Sequence, residues 1–168
     1  MKGKRVDLGH ADCSIARALQ IIGDWWSLLI VREAFGGKDR FSEFQKTLGL
    51  ARNILSTRLK KLVEEGILEA VQIEGASNRS RYVLTSKGEQ LYIVLIALWQ
   101  WGEQHCFKPG ELKYAMVDRD KLLSLAALDL RAQDGRILGP RDFRTAARAE
   151  LPASKAKPPA EAKRTRTT

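Results

Sequence analysis

Two cysteines, Cys13 and Cys106, and two histidines, His10 and His105, are all that this 168-residue chain has of either type. Two cysteines cannot staple a secreted scaffold, and they suit a reducing cytosol. Two histidines leave few candidates for a His-based triad. His10 and Cys13, spaced H-x2-C, with the adjacent pair His105-Cys106, would offer zinc two nitrogens and two sulfurs. Neighbours on a helix point about 100° apart, however, and nothing in the sequence joins the two ends, so no metal is expected. There is no Gly-rich phosphate loop, no G-x-S-x-G elbow and no H-E-x-x-H. The paired carboxylates Glu64-Glu65 close a helix. Neither an enzyme nor a cofactor is expected. Long apolar runs are missing too: the longest, Leu91–Trp101, is far short of the roughly 20 residues that span a bilayer. The N-terminus, MKGKRVDLGHADC, is basic but lacks the apolar stretch of a secretory signal. These absences together predict a soluble cytoplasmic protein. One further absence is local. The stretch ARNILSTRLKK, Ala51–Lys61, contains no acid.

Apolar residues make up 44% of the chain, enough for one ordinary domain with a sizeable core. The net charge is +9, which points to nucleic acid or another anionic surface. The tail Pro152–Thr168 has five Lys/Arg, one Glu and no large apolar residue. It reads as disordered, and it leaves +5 to the other 151 residues.

Residues 1–12 read as an arm. From Cys13, CSIARALQII places Ile15, Ala18, Leu19 and Ile22 on one helical face. Gly23 breaks that helix and Asp24 caps the next, WWSLLIVREAF, which is apolar nearly all round and therefore central. Gly36-Gly37 ends it. A short helix follows over Phe41–Leu48, with Ser42 and Gln45 spaced as a capping box, and Gly49 closes it. The next helix runs from Arg52 to Glu64-Glu65-Gly66. ILEAVQIEG, the turn GASN and RSRYVLT read as a β-hairpin. Thr85 caps a long helix over Ser86–Cys106. Its stripes Leu91, Val94, Leu95, Leu98, Trp101 and Tyr92, Ile96, Trp99 require burial on two sides. One side suits the protein's own core and the other a second copy. Residues 107–151 read as a small β-rich extension, with turns at Arg119-Asp120 and Gln133-Asp134-Gly135.

Two helices joined by a tight LGL turn and followed by a hairpin form a winged helix-turn-helix, in which the second helix reads the major groove. The stretch without acid is that helix. Leu55, Leu59 and Leu62 face the core, whereas Asn53, Ser56, Thr57 and Lys60 form a small polar face that suits a groove about 12 Å wide. Arg52, Arg58 and Lys61 flank it as phosphate partners, Ser42 of the preceding helix joins the DNA-binding set, and Arg79 and Arg81 arm the wing. Lys38–Lys61 holds seven basic and two acidic residues. The fold expected is mainly α with small β-hairpins and a long C-terminal dimerisation helix. The dimer contacts expected are Ile15, Leu19, Leu91, Leu95, Leu98, Trp99 and Trp101.

The run Cys13–His105 resembles the HxlR-type winged-helix transcriptional regulators, relatives of the MarR group. The resemblance is carried by CSIARAL (13–19), IGDWWSLLIVREAF (22–35), RFSEF (40–44), LARNILSTRLKKLVEEGILE (50–69), YVLTSKG (82–88) and LWQWGEQH (98–105). It implies a homodimer on a pseudo-palindromic operator in double-stranded DNA, most often a repressor. GPRD at 139–142 resembles a motif in the C-terminal extension of some members. Some members also sense oxidants or electrophiles through a cysteine at the position of Cys13. A helix N-terminus and Arg17 one turn on would favour its thiolate; the alternative is that Cys13 only packs and caps. A small-molecule or oxidant effector is thus a possible partner, and a protein-interaction module is the remaining reading of the fold.

Overall fold

Glycines end the first three helices where the sequence places them. In the computed structural model, which describes residues 7–73 and 80–151, α1 (Ser14–Ile22) stops at Gly23, α2 (Trp25–Phe35) at Gly36 and α3 (Phe41–Leu48) at Gly49. Gly49 takes a φ of +64°, which lets the chain turn sharply into α4 (Arg52–Glu64). Asp24 caps α2 as expected: its Oδ1 accepts the Ser27 N–H at 3.0 Å and its Oδ2 the Ser27 hydroxyl at 2.6 Å. α3 begins differently from expectation. Ser42 already lies inside the first turn, so no Ser42–Gln45 box forms. Glu43 instead reaches back to the N–H groups of Arg40 (2.9 Å) and Asp39 (3.1 Å).

β1 (Leu68–Gln72) and β2 (Ser80–Leu84) pair antiparallel, with Leu68 opposite Leu84 and Gln72 opposite Ser80. The chain just before α3 extends this sheet: the Tyr82 N–H donates to the Asp39 carbonyl at 2.7 Å, and Arg40 bridges to Arg81. The hairpin is thereby tied to the helix-turn-helix.

The single helix expected from Ser86 to Cys106 is two, α5 (Ser86–Glu89) and α6 (Tyr92–His105). Thr85 caps α5 by accepting the Gly88 N–H at 3.1 Å, while its hydroxyl donates to the Gly66 carbonyl at 2.6 Å. Gly88 is pressed so closely under the Ile67 carbonyl that a Cβ there would lie 2.1 Å from the oxygen. α5 is thus pinned to the α4–β1 turn, and the chain is re-aimed through Gln90-Leu91 before α6 starts.

Ile30, Val31, Phe44, Leu50, Leu55, Leu59, Leu62, Ile67 and Leu68 form the core. Leu91 and Leu95 pack against it from the α6 side, but no residue of α6 is fully buried.

Among the described residues, those up to Ser124 form one compact unit and those from Leu125 a second. After α6 the first unit carries a bridge between Val117 and Ser124 around the expected turn at Arg119-Asp120. The Asp118 carboxylate holds that turn by accepting the N–H groups of Asp120, Lys121 and Leu123, and the bonds from Lys121 and Leu123 keep its carboxyl below the usual range. The second unit carries a bridge between Arg131 and Ile137 around Gln133–Gly135, and a 3-10 turn over Arg148–Glu150. Among the described residues, the strands expected over 108–151 are reduced to these two isolated bridges. No residue from Phe107 to Leu151 is buried, and an isolated pair without a covered face is marginal. The expected disordered tail, residues 152–168, lies outside the described residues. No single helix among the described residues is long and apolar enough to cross a membrane.

Candidate nucleic-acid interface

The helix-turn-helix is built around α4. Leu55, Leu59 and Leu62 are fully buried, so the helix has one rotational setting. At 100° per residue, Asn53, Thr57, Lys60 and Glu64 then lie opposite the core, and all four are exposed. The Thr57 hydroxyl donates to the Asn53 carbonyl at 2.8 Å. That bond restrains the rotamer while the residue stays exposed. Lys60 lies 3.7 Å from Glu64 in an exposed pair that hardly restrains it. Ser56 is exposed on the flank toward α3, and Ser42 is exposed on the first turn of α3.

The flanking cations separate into two groups. The Arg52 guanidinium lies over the Phe41 ring, 5.4 Å from its centroid, on the α3 side. Stacking holds it in place while leaving it exposed. Arg58 and Lys61, expected to meet phosphates, are turned inward instead. Arg58 Nε sits 3.1 Å from Asp24 Oδ1, close enough for an ion pair but off line for a hydrogen bond. Lys61 Nζ donates to the Gln20 carbonyl in the last turn of α1 at 2.6 Å. Both lie on the flank of α4 that faces the α1–α2 junction, and together they lock the helix to it.

Ala51 offers no side-chain cap to α4. Among the described residues, the N–H groups of Arg52, Asn53 and Ile54 therefore have no acceptor, and this positive helix end is suited to a phosphate.

On the wing, Arg81 Nε donates to Asp39 Oδ2 at 2.7 Å, with the side chain still half exposed. Arg79 lies outside the described residues. Arg40 is an addition the sequence reading missed. It is exposed at the N-cap of α3 and stands opposite Arg81 across the bridge. Like charges directly opposite one another destabilise a sheet, and here two carboxylates, Asp39 on Arg81 and Glu43 at the Arg40 N–H, stand beside the two arginines. The signal available was the basic excess from Lys38 onward, read as a total rather than by residue.

On α2, the nearly buried Glu33 accepts from Arg32 Nε at 3.0 Å and Lys38 Nζ at 2.6 Å. Burial pushes its carboxyl up, but the bonds from Lys38 and Arg32 outweigh burial and hold it below the usual value.

This arrangement matches a known family: residues 21–109 fit the HxlR-like helix-turn-helix. The chain belongs to that family. An HTH-type transcriptional regulator of Mycobacterium tuberculosis strain H37Rv is 41% identical over 96 residues, 57% of this chain. The match spans only 61% of that relative's length. PA1607, described as a candidate transcription factor, has a crystal structure 47% identical with a TM-score of 0.78, matched over 82% of this chain and 96% of its own. That share exceeds what residues 1–109 can hold, so the likeness reaches into the extension. The redox regulator HypR in its oxidized form is 26% identical with a TM-score of 0.51, matched over 55% of this chain and 97% of its own. HxlR-like chains carry a DNA-binding helix-turn-helix, and here its exposed face is the polar side of α4.

Proposed function

We propose that this HxlR-like chain regulates transcription in the cytoplasm as a homodimer that binds a pseudo-palindromic operator, acting as a repressor. The observation that carries this reading is the rotational setting of α4. Its leucines are buried, and Asn53, Thr57 and Lys60 are left on an exposed polar face beside an uncapped helix N-terminus. The dimer is supported by the apolar residues the fold leaves outside. Ile15 and Leu19 on α1, and Leu98 and Trp101 on α6, are all at least half exposed or close to it, with Ile15 at 70% and Trp101 at 60%. Of the contacts expected, Leu91 and Leu95 serve the chain's own core, and Trp99 is half buried. A gel shift on DNA from upstream of the protein's own gene tests the function. Salt-sensitive retention of one fragment over random DNA is the expected result. Equal, weak retention of all fragments would favour a protein-interaction module.

A second reading adds thiol sensing through Cys13, which is exposed as the N-cap residue of α1 and makes no side-chain capping bond. A relative described as a redox regulator lends it support. Loss of operator binding in mild oxidant, abolished by Cys13→Ser, is its expected signature. Binding indifferent to oxidant would leave Cys13 structural.

A further inference from the structure

Among the described residues, α4 carries one exposed large apolar side chain, Ile54, with 39% of its surface accessible. It stands in the first turn, directly after Asn53. At 100° per residue it lies about a quarter-turn from Leu55 and about a quarter-turn from Asn53, on the flank that also holds Arg58 and Lys61. Those two cations are drawn back to Asp24 and to the Gln20 carbonyl. The N-terminal end of this flank therefore presents alkyl surface, not charge. The opposite flank differs, with Ser56 exposed and Arg52 stacked on Phe41.

Nothing in the fold asks for isoleucine here. Ile54 belongs neither to the buried core nor to the apolar residues packed against it. Trp25 and Trp26 line the same open groove beside α4 and do not close over it. On propensity alone a β-branched residue is a weak choice for an exposed helix position. The same branching has one use: it favours a single χ1 rotamer in a helix, so the alkyl surface keeps its direction without a partner.

The major groove offers little that matches such a surface. Its base edges are hydrogen-bond donors and acceptors, except for the C5-methyl group of thymine. Residues at the N-terminal end of a reading helix are the ones that contact base edges. We propose that Ile54 is a specificity residue that selects thymine through its C5-methyl group, within one or two base pairs of the position read by Asn53. The proposal rests on α4 being the reading helix. Asn53 then selects by hydrogen bonding and Ile54 by excluding water from a methyl group, so neighbouring positions of one half-site are read by different physics.

Deoxyuridine keeps every hydrogen-bonding group of thymidine and lacks only the methyl group, which makes it the direct probe. An operator is selected from random DNA with the full parent chain, and each thymidine of one half-site is replaced in turn by deoxyuridine. Fluorescence anisotropy measures binding of the parent, Ile54→Ala and Ile54→Val. At one position deoxyuridine should weaken the parent by about three- to tenfold, the value of one or two alkyl groups removed from water. Ile54→Ala should lose a similar factor on the thymidine operator, bind both operators alike and keep the parent's affinity for random DNA. Ile54→Val should retain most of the discrimination. Equal losses for Ile54→Ala on both operators would make Ile54 a packing residue and overturn the proposal. So would a parent chain indifferent to deoxyuridine at every position, or an Ile54→Ala chain that still discriminates as the parent does. Each of these, with operator preference intact, leaves α4 as the reading helix. A selection that yields no preferred sequence removes the reading helix itself, and the role of Ile54 with it.

Discussion

At the residue scale, the division of labour on α4 followed from spacing. Leu55, Leu59 and Leu62 repeat at i, i+4, i+7, and all are buried. The same spacing left Arg58 and Lys61 looking like free cations. What they reach, Asp24 and the Gln20 carbonyl, lies 34 and 41 positions away, and no local pattern exposes such a partner. Arg58→Ala should accordingly act on stability, lowering it by about 1–3 kcal/mol for a lost, partly buried charge contact. Chemical denaturation measures this; an unchanged midpoint with a flatter salt dependence of DNA binding would return Arg58 to the phosphates. Glu33 gives a pH prediction. Its folded carboxyl titrates below the ordinary value of 4.5, so its contribution is complete above that pH and is lost as pH falls below it. Glu33→Gln should lose about 1–3 kcal/mol at neutral pH and show a shallower loss of stability on acidification than the parent chain. Parallel acid limbs for the two would contradict the assignment.

At the scale of elements, α1 to α4 and the hairpin were legible because caps, glycines and periodicity agree there. The break between α5 and α6 was not, since the apolar pattern continues across Gln90-Leu91 while the cause lies in a contact with Ile67. Gly88→Ala probes that contact. A Cβ 2.1 Å from the Ile67 oxygen must displace backbone, so the variant should be destabilised although alanine favours helix by about 1 kcal/mol. A thermal midpoint at or above that of the parent would show that α5 is not pinned. The extension was legible in its turns, where Asp118 and Asp134 each accept nearby N–H groups, and not in its strands. Turn chemistry is local. Strand formation needs a partner that covers the apolar face, and among the described residues of 107–151 large apolar side chains such as Leu112, Leu123, Leu130 and Ile137 are left exposed.

For the whole molecule, the unfinished part of the fold is its outer apolar surface. Sedimentation at micromolar concentration should give a dimer, and Leu98→Asp with Trp101→Asp should give a folded monomer. A monomeric parent chain would remove the dimer and, with it, the expectation of two half-sites about 34 Å apart or at a multiple of that spacing. The proposed function requires, more narrowly, that the exposed side of α4 read base edges. It is tested most directly by titrating operator and random DNA with the parent chain and with Asn53→Ala and Thr57→Ala. Each substitution should cost about 1–3 kcal/mol on the operator and much less on random DNA, so sequence preference falls while the salt slope stays. If Asn53, Thr57 and Lys60 can all be replaced by alanine with operator preference intact, α4 is not the reading helix.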